Sequence, residues 1–391
     1  VLITAGFAAV LRIGYQNRPR LFELDIRKPP PLFAQVVEID ERIAADGEVL
    51  KTPTEEPIRH ALQRLRSDGV ESLAICLLHA HVYSQHEELV ERIAREVGFD
   101  EISRSSRVAP LIKIVARGDT TVVDAYLNPV LRRYVADLLA SLGSDGHSDL
   151  RILTSAGALV RADRFVGKDS ILSGPAGGVV GFSRVAQAAG FQRAIGFDMG
   201  GTSTDVSRFD GRHELEYETE KAGVRVVAPM MAIETVAAGG GSICSFDGVK
   251  LAVGPKSAGA EPGPACYGRG GPLAVTDVNF FLGKILPDHF PFPLDRTAVE
   301  SRLGRLCDEI QRATGTHYEP VELADGFLRV ANANMVKAIR SISIAKGCDV
   351  RDYVLVSFGA AAGQHACGVA RELGMRRILN HPDAGILSAL G

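Results

Sequence analysis

The stretch Gly196-Phe197-Asp198-Met199-Gly200-Gly201-Thr202-Ser203-Thr204-Asp205-Val206-Ser207 decides the fold. An apolar run from Ala194 to Met199 ends in two glycines, and a second run from Thr202 to Phe209 carries hydroxyls and another aspartate. That pattern predicts two strands joined by a tight turn. Glycine tolerates positive φ and close backbone approach, so successive N–H groups can converge on an anion. Gly200 and Gly201 would supply that backbone, and Thr202 and Ser203 would add hydroxyl donors. Asp198 and Asp205 fall on opposite arms, placed to hold a hydrated Mg²⁺ beside phosphates. The plainer reading is a Gly-Gly turn with two solvated acids. Glycines, hydroxyls and both acids within eight residues favour the phosphate-binding one.

Upstream, the chain alternates strand and helix patterns. Strands are expected over Leu21 to Ile26, Val36 to Ile43, Ser72 to Leu78 and Arg151 to Thr154, with Pro29-Pro30-Pro31 as a connection. Helices are expected over Ile58 to Arg66, Ser84 to Val97 and Asp119 to Leu142, the last kinked or interrupted by Pro129 and followed by a polar loop, Gly143 to Asp149. Downstream come Val179 to Ala189 as a helix, glycine-rich loops at Gly239-Gly240-Gly241 and Gly254 to Gly271, and helices over Asp295 to Ala313 and Leu323 to Ala345. Tyr353 to Phe358 reads as a strand and Gln364 to Leu373 as a helix. The class is α/β in two lobes, 1–186 and 187–391.

Composition limits the function classes. Lys+Arg 44 against Asp+Glu 47 is too balanced for a dedicated nucleic-acid binder. A hydrophobic share of 46% supplies a sizeable core. No apolar run approaches the roughly 18 residues of a membrane span. The six cysteines show no C-x-x-C spacing and read as reduced thiols of a cytoplasmic chain. The chain opens on Val1 inside a strand-like run and closes on Gly391 without a terminal cap, so both ends are expected to continue.

The hairpin resembles the phosphate-binding hairpin of the actin, hexokinase and sugar-kinase superfamily. The helix from Pro175 and the helix Leu323 to Ala345 resemble its two connecting helices. Tyr353-Val354-Leu355-Val356-Ser357-Phe358-Gly359 followed by a helix resembles its adenosine-binding strand and turn. The likeness narrows to the hydantoinase A/5-oxoprolinase family. It is carried by Ile171-Leu172-Ser173-Gly174-Pro175-Ala176-Gly177-Gly178, by Val236-Ala237-Ala238-Gly239-Gly240-Gly241-Ser242, by Ser257 to Tyr267 and by Val275-Thr276-Asp277. Gly363-Gln364-His365-Ala366-Cys367 and Ala384 to Gly391 resemble the ATP-dependent 5-oxoprolinase branch.

The resemblance implies a two-lobed actin-like ATPase fold whose first lobe is incomplete, because the family's earlier D-x-G-G-T-F-T-D hairpin is absent. It implies ATP and Mg²⁺ as cofactors and ring opening of a lactam, most simply 5-oxoproline to glutamate. A hydrolytic half, fused or as a B-type subunit, and a homo- or hetero-oligomer are implied as partners. Asp198 and Asp205 would be the catalytic and metal-binding acids. Gly200, Gly201, Thr202, Ser203, Gly239, Gly240, Gly241, Gly359 and Gly363 would bind the nucleotide. The adenosine turn departs from the family by carrying Ala360 and Ala362 where glycine is expected. If either needs positive φ, alanine costs about 1 kcal/mol. A hydantoin amidohydrolase and a non-catalytic nucleotide-responsive subunit are the competing readings.

Four further features have open readings. Arg117 is either a bidentate partner for a substrate carboxylate or a surface arginine. Asp277 is either an N-cap or a substrate-cleft residue. His79, His81 and His86 lack an acid or cysteine to complete a metal set. Cys266 reads as a packed thiol, the alternative being a reactive one with Arg269 lowering its pKa.

Overall fold

Parallel strands covered on both faces need near-continuous apolar runs, and Ser72–Cys76 is such a run, buried from Leu73 onward. In the computed structural model, which describes residues 1–15, 22–25, 28–143, 150–221 and 223–391, this strand lies inside a four-stranded sheet. The order is Val37–Ile39, Leu2–Thr4, Ser72–Cys76, Glu101–Arg104, and every pairing is parallel. Helices Glu55–Ser67 and Gln85–Val97 supply Ile58, Leu62, Val90 and Ile93 to a core with Leu2, Ile39, Leu73 and Ile75. The long helix Ile114–Leu142 packs Val122 and Ala125 against Ala74. It runs through Pro129 without a break. Residues 22–25 form no strand, while Leu21, Ile26 and the 144–149 part of the predicted loop lie outside the described residues.

The chain divides into two compact units. The first is Val1–Ser173 with Leu215–Met230, and the second is Gly174–Glu214 with Met231–Gly391. The change of unit comes at the first turn of the helix Ser173–Ala188, whereas the sequence places the lobe boundary after residue 186. A segment of 16 residues, Leu215–Met230, packs with the first unit. It holds the antiparallel pair Thr219–Lys221 and Val224–Val226, whose Val224 and Val226 pack with Val123 and Leu172. Nothing in local periodicity announces such a return.

The second unit is built on a five-stranded mixed sheet, ordered Ile233–Val236, Thr204–Asp210, Arg193–Met199, Val354–Phe358, Ile378–Asn380. The first two pairings are antiparallel and the last two parallel. The central strands Arg193–Met199 and Val354–Phe358 are almost wholly buried. Helices Val275–Phe281, Arg296–Thr314, Pro320–Ile342 and Ala366–Leu373 cover the sheet through Val278, Leu303, Phe327, Met335 and Val369. The helix Pro320–Ile342 begins with proline at its first position, where a missing N–H costs nothing. No helix among the described residues is long and apolar enough to cross a membrane.

Candidate functional site

The hairpin forms as its alternation dictates, with Thr204–Asp210 paired antiparallel to Arg193–Met199 and Met199 opposite Thr204. Residues 200–203 make the turn, closed by the Gly200 amide donating to the Ser203 carbonyl at 3.1 Å. Neither Gly200 nor Gly201 has a positive φ, which corrects the conformational reason given for them. Their missing side chains matter in another way, because a Cβ on either would enter open space. Gly201 and Thr202 are exposed. Among the described residues, no acceptor takes the amides of Gly201, Thr202 and Ser203 or the hydroxyls of Thr202 and Ser203. Three successive free amides at a bare turn are the donors that an anion cradle requires.

Asp198 and Asp205 are direct cross-strand partners. Such pairs share one face of the sheet with Cβ atoms roughly 4.5–5.5 Å apart, and like charges there repel. Burial, then the Asp205 charge, pushes the Asp198 carboxyl up to about 6, against a hydrogen bond from the Ser388 hydroxyl at 3.5 Å. Asp205 is steered by the Thr235 hydroxyl, which donates to Oδ1 at 2.7 Å. Two crowded carboxylates of which one resists ionisation form a donor set suited to a hard cation, water and phosphate completing its shell. No group of three or more His, Cys, Asp or Glu able to hold a metal occurs among the described residues. The histidine trio forms no shared ligand set, although the His79 and His81 rings meet edge to face at 6.3 Å. His86 pairs with Glu41 at 2.7 Å, His79 Nδ1 meets the Ile43 carbonyl at 3.0 Å, and His81 lies 3.4 Å from Arg117.

The triple glycine has a different task from the expected one. The Gly239 amide donates to Ser242 Oγ at 2.8 Å, Gly240 to the Gly200 carbonyl at 3.0 Å, and Gly241 to the Gly201 carbonyl at 2.6 Å. Two of the three amides therefore buttress the hairpin turn, the third closes its own loop, and none is free for phosphate. A Cβ on Gly239 would lie 2.5 Å from the Thr202 carbonyl carbon, so only glycine permits this approach. Beside the turn is a cavity of about 420 Å³ bordered by Thr202, Gly241, Tyr267, Arg269 and Phe292. Arg269 sits over the Phe292 ring at 5.9 Å and pairs with Glu261 at 3.4 Å.

Gly359 also supports the acids. Its φ is +83°, and a Cβ there would lie 2.3 Å from Asp198 Oδ1. The Ala361 amide donates to the Met199 carbonyl at 2.9 Å, tying this turn to the hairpin. Gly363 is exposed in the short helical turn Ala362–Gln364. Among the described residues His79 is the only non-glycine with positive φ, so Ala360 and Ala362 carry no left-handed strain. The departure from glycine at those positions costs the turn nothing of the expected kind.

Arg117 and Asp277 sit away from any open surface. Arg117 is fully buried, donating to Ser105 Oγ at 3.0 Å and to the Leu111 and Leu77 carbonyls at 2.6 Å each. Asp277 is also fully buried and accepts from the amides of Ala265, Cys266 and Ala274 at 2.9, 2.7 and 2.7 Å. It occupies the third position of the helix Val275–Phe281 and reaches back to the capping residue, so it is no N-cap itself. Both side chains are buried and hydrogen-bonded inside the fold, so neither is placed to touch substrate, and neither plainer reading holds either: Arg117 is no surface arginine and Asp277 no N-cap. Cys266 is fully buried, and burial, reinforced by Asp277, pushes its thiol far up, in keeping with a packed thiol. All six cysteines are free.

Residues invisible to the sequence reading complete the site. Thr235 and Ser388 orient the acids from 30 and 190 residues away. Their signal is long-range register, which no local motif carries.

The fold is α/β, and its candidate site is a turn of free amides flanked by two carboxyls. The family described as hydantoinase/oxoprolinase matches residues 117–391, and its N-terminal region matches residues 1–98. The chain is 42% identical over 427 residues to 5-oxoprolinase of Saccharomyces cerevisiae and 40% over 443 residues to 5-oxoprolinase of Dictyostelium discoideum. Each alignment covers 100% of this chain, but only 33% and 35% of those proteins. The crystal structure of ATP-dependent caprolactamase from Pseudomonas jessenii superposes with a TM-score of 0.82 at 32% identity, over 99% of this chain and 57% of that one. The chain belongs to the hydantoinase/oxoprolinase family. It spans about a third of the length of these 5-oxoprolinases.

Proposed function

We propose that this chain is the nucleotide-binding part of an ATP-dependent cyclic-amide hydrolase of two-lobed, actin-like architecture, opening 5-oxoproline to glutamate through a phosphorylated lactam. The observation that carries the reading is the turn 200–203, where three free amides sit beside the opposed Asp198 and Asp205. The names of the relatives, 5-oxoprolinase and ATP-dependent caprolactamase, support the substrate class and the nucleotide.

A lactam is a poor electrophile, and ATP supplies the phosphoryl group that turns its carbonyl oxygen into a leaving group. In phosphoryl transfer the protein chiefly positions the reactants and offsets charge. Gly201, Thr202 and Ser203 would take phosphate oxygens through backbone N–H and hydroxyl donors. Asp198 and Asp205 would hold Mg²⁺ through its water shell, with Thr235, Ser388 and Gly359 fixing their carboxylates. Gly363 borders the adenosine side, and Gly239, Gly240 and Gly241 keep the cradle in shape. Water then opens the activated ring in a hydrolytic half, fused or as a separate subunit, in a cytoplasmic assembly. The alanine turn carries no left-handed strain, which supports a working nucleotide site over a merely regulatory subunit.

The test is stoichiometry in the complete protein. The account expects about one phosphate released per glutamate formed from 5-oxoproline, with little release on hydantoin or without a ring. Ring opening without phosphate release, or ATP hydrolysis indifferent to every cyclic amide, contradicts it.

A further inference from the structure

The helix Ile114–Leu142 presents Asp119 to a cavity of about 610 Å³ lined entirely by residues of the first unit. Its walls include Leu32, Phe33 and Val122. A concave pocket with apolar walls and a few polar groups at this volume is the usual form of a small-molecule site.

Its charged groups are specific. Lys28 Nζ donates to the carbonyls of Ile13 and Tyr15, which leaves one of its three donors unused. The Arg225 guanidinium lies 4.2 Å from the centre of the Tyr15 ring, with one edge paired to Glu218. Arg12 and Glu220 complete the charged lining, so Arg12, Lys28 and the unpaired edge of Arg225 are the cationic donors that face the cavity. Asp119 is half-buried, and among the described residues nothing donates a hydrogen bond to it. Burial pushes its carboxyl up to about 6, against the pull of Arg225 and Lys28. The unused donors of Lys28 and Arg225 suit an anion, and the unpartnered carboxyl suits a hydrogen-bond donor.

We propose that this cavity takes the cyclic amide itself, a small ring bearing a carboxylate, with the ring N–H donated to Asp119 and the carboxylate held by Arg225 and Lys28. The proposal rests on the cyclic-amide reading above and adds which residues select the ring. Asp119 then sets specificity for an unsubstituted amide nitrogen, because the ring holds N–H and C=O on one edge and an N-alkyl group removes the only donor. The site lies outside the phosphate hairpin and works without nucleotide.

The test is calorimetric titration of the full chain, without nucleotide, with 5-oxoproline, pyrrolidin-2-one and N-methyl-5-oxoproline. The expected result is saturable binding of 5-oxoproline, with the ring lacking a carboxylate and the N-methyl ring each weaker by at least about tenfold. Asp119→Leu should weaken 5-oxoproline and erase its advantage over the N-methyl ring. Equal binding of the N-methyl ring overturns the proposal in the wild type alone, so the decision stands even if the variant misfolds. Absence of saturable binding up to about 10 mM also overturns it. Ring binding lost in Asp198→Asn but kept in Asp119→Leu puts the ring at the hairpin and overturns it. Intact ring discrimination without any ATP turnover supports this site while defeating the proposed reaction, so the two failures are distinct.

Discussion

Asp198 carries the tension of the site, since its carboxyl is held up to about 6 by burial and by Asp205 directly across the hairpin. Between its unfolded value of 3.8 and about 6 the native state binds the extra proton. Stability from this group is therefore full below about 4 and lost as pH rises through about 6. Above that, only a cation relieves the pair. Asp198→Asn should raise stability at pH 7.5, without Mg²⁺, by on the order of 1 kcal/mol once solvent screening is allowed for. Thermal melts with and without Mg²⁺ check this, and Mg²⁺ should raise the wild-type Tm but not the variant's. A less stable variant at pH 7.5 would count against a repulsive pair.

His365 acts with the opposite sign. It is buried between Asn332 Oδ1 at 2.8 Å and Asn279 Nδ2 at 2.9 Å, and burial lowers its pKa to about 4. Its contribution is present above the unfolded value of 6.5 and fades as pH falls toward 4. Asp198→Asn should consequently show stability rising more steeply with pH between about 4 and 6 than the wild type. A parallel pair of pH–stability curves contradicts the assignment. Both acids were legible as residues because they flank a glycine turn. Their orienting partners were not, because Thr235 and Ser388 reach them only through sheet register and chain return.

At the scale of elements, periodicity placed the hairpin, the helices around Pro320–Ile342 and Gln85–Val97, and the strand Val354–Phe358 close to their observed bounds. What it could not show is how a glycine loop is used. Gly239-Gly240-Gly241 reads as a nucleotide-binding loop, yet the Gly240 and Gly241 amides brace the hairpin turn and the Gly239 amide its own loop. The turn after Val354–Phe358 makes a sharper case. Gly359→Ala should cost more than about 2 kcal/mol, from left-handed strain plus collision with Asp198 and the Met199 carbonyl. Denaturant melts measure it, and a neutral effect would refute the close approach. Ala360→Gly with Ala362→Gly should leave nucleotide affinity unchanged and lower stability by about 0.5–1 kcal/mol per site, since no strain exists to relieve. Calorimetric titration with a non-hydrolysable nucleotide checks the affinity. Tighter binding by the double variant would restore the strain argument.

For the whole molecule, the α/β class follows from alternating patterns, but the division of the chain does not. Leu215–Met230 leaves the second unit to pack with the first, a long-range event driven by burying Val226, Ala228 and Met230. The strand order, with Val354–Phe358 beside Arg193–Met199, joins segments over 150 residues apart and sets the acids near the adenosine-type turn. Local sequence cannot state that pairing. Arg117 and Asp277 make the same point, since their chemistry suggests ligands while the fold spends them on buried backbone groups. The account's central claim is that the opposed acids and the bare turn form one Mg²⁺–phosphate site. A Mg²⁺ titration of 5-oxoproline-dependent phosphate release, in the complete wild-type protein and in Asp198→Asn and Asp205→Asn, tests it most directly. Saturable Mg²⁺ dependence in the wild type, with release reduced by at least about a hundredfold in both variants, is the predicted result. Wild-type rates in both variants across the titration would contradict the claim and reduce the hairpin to a turn.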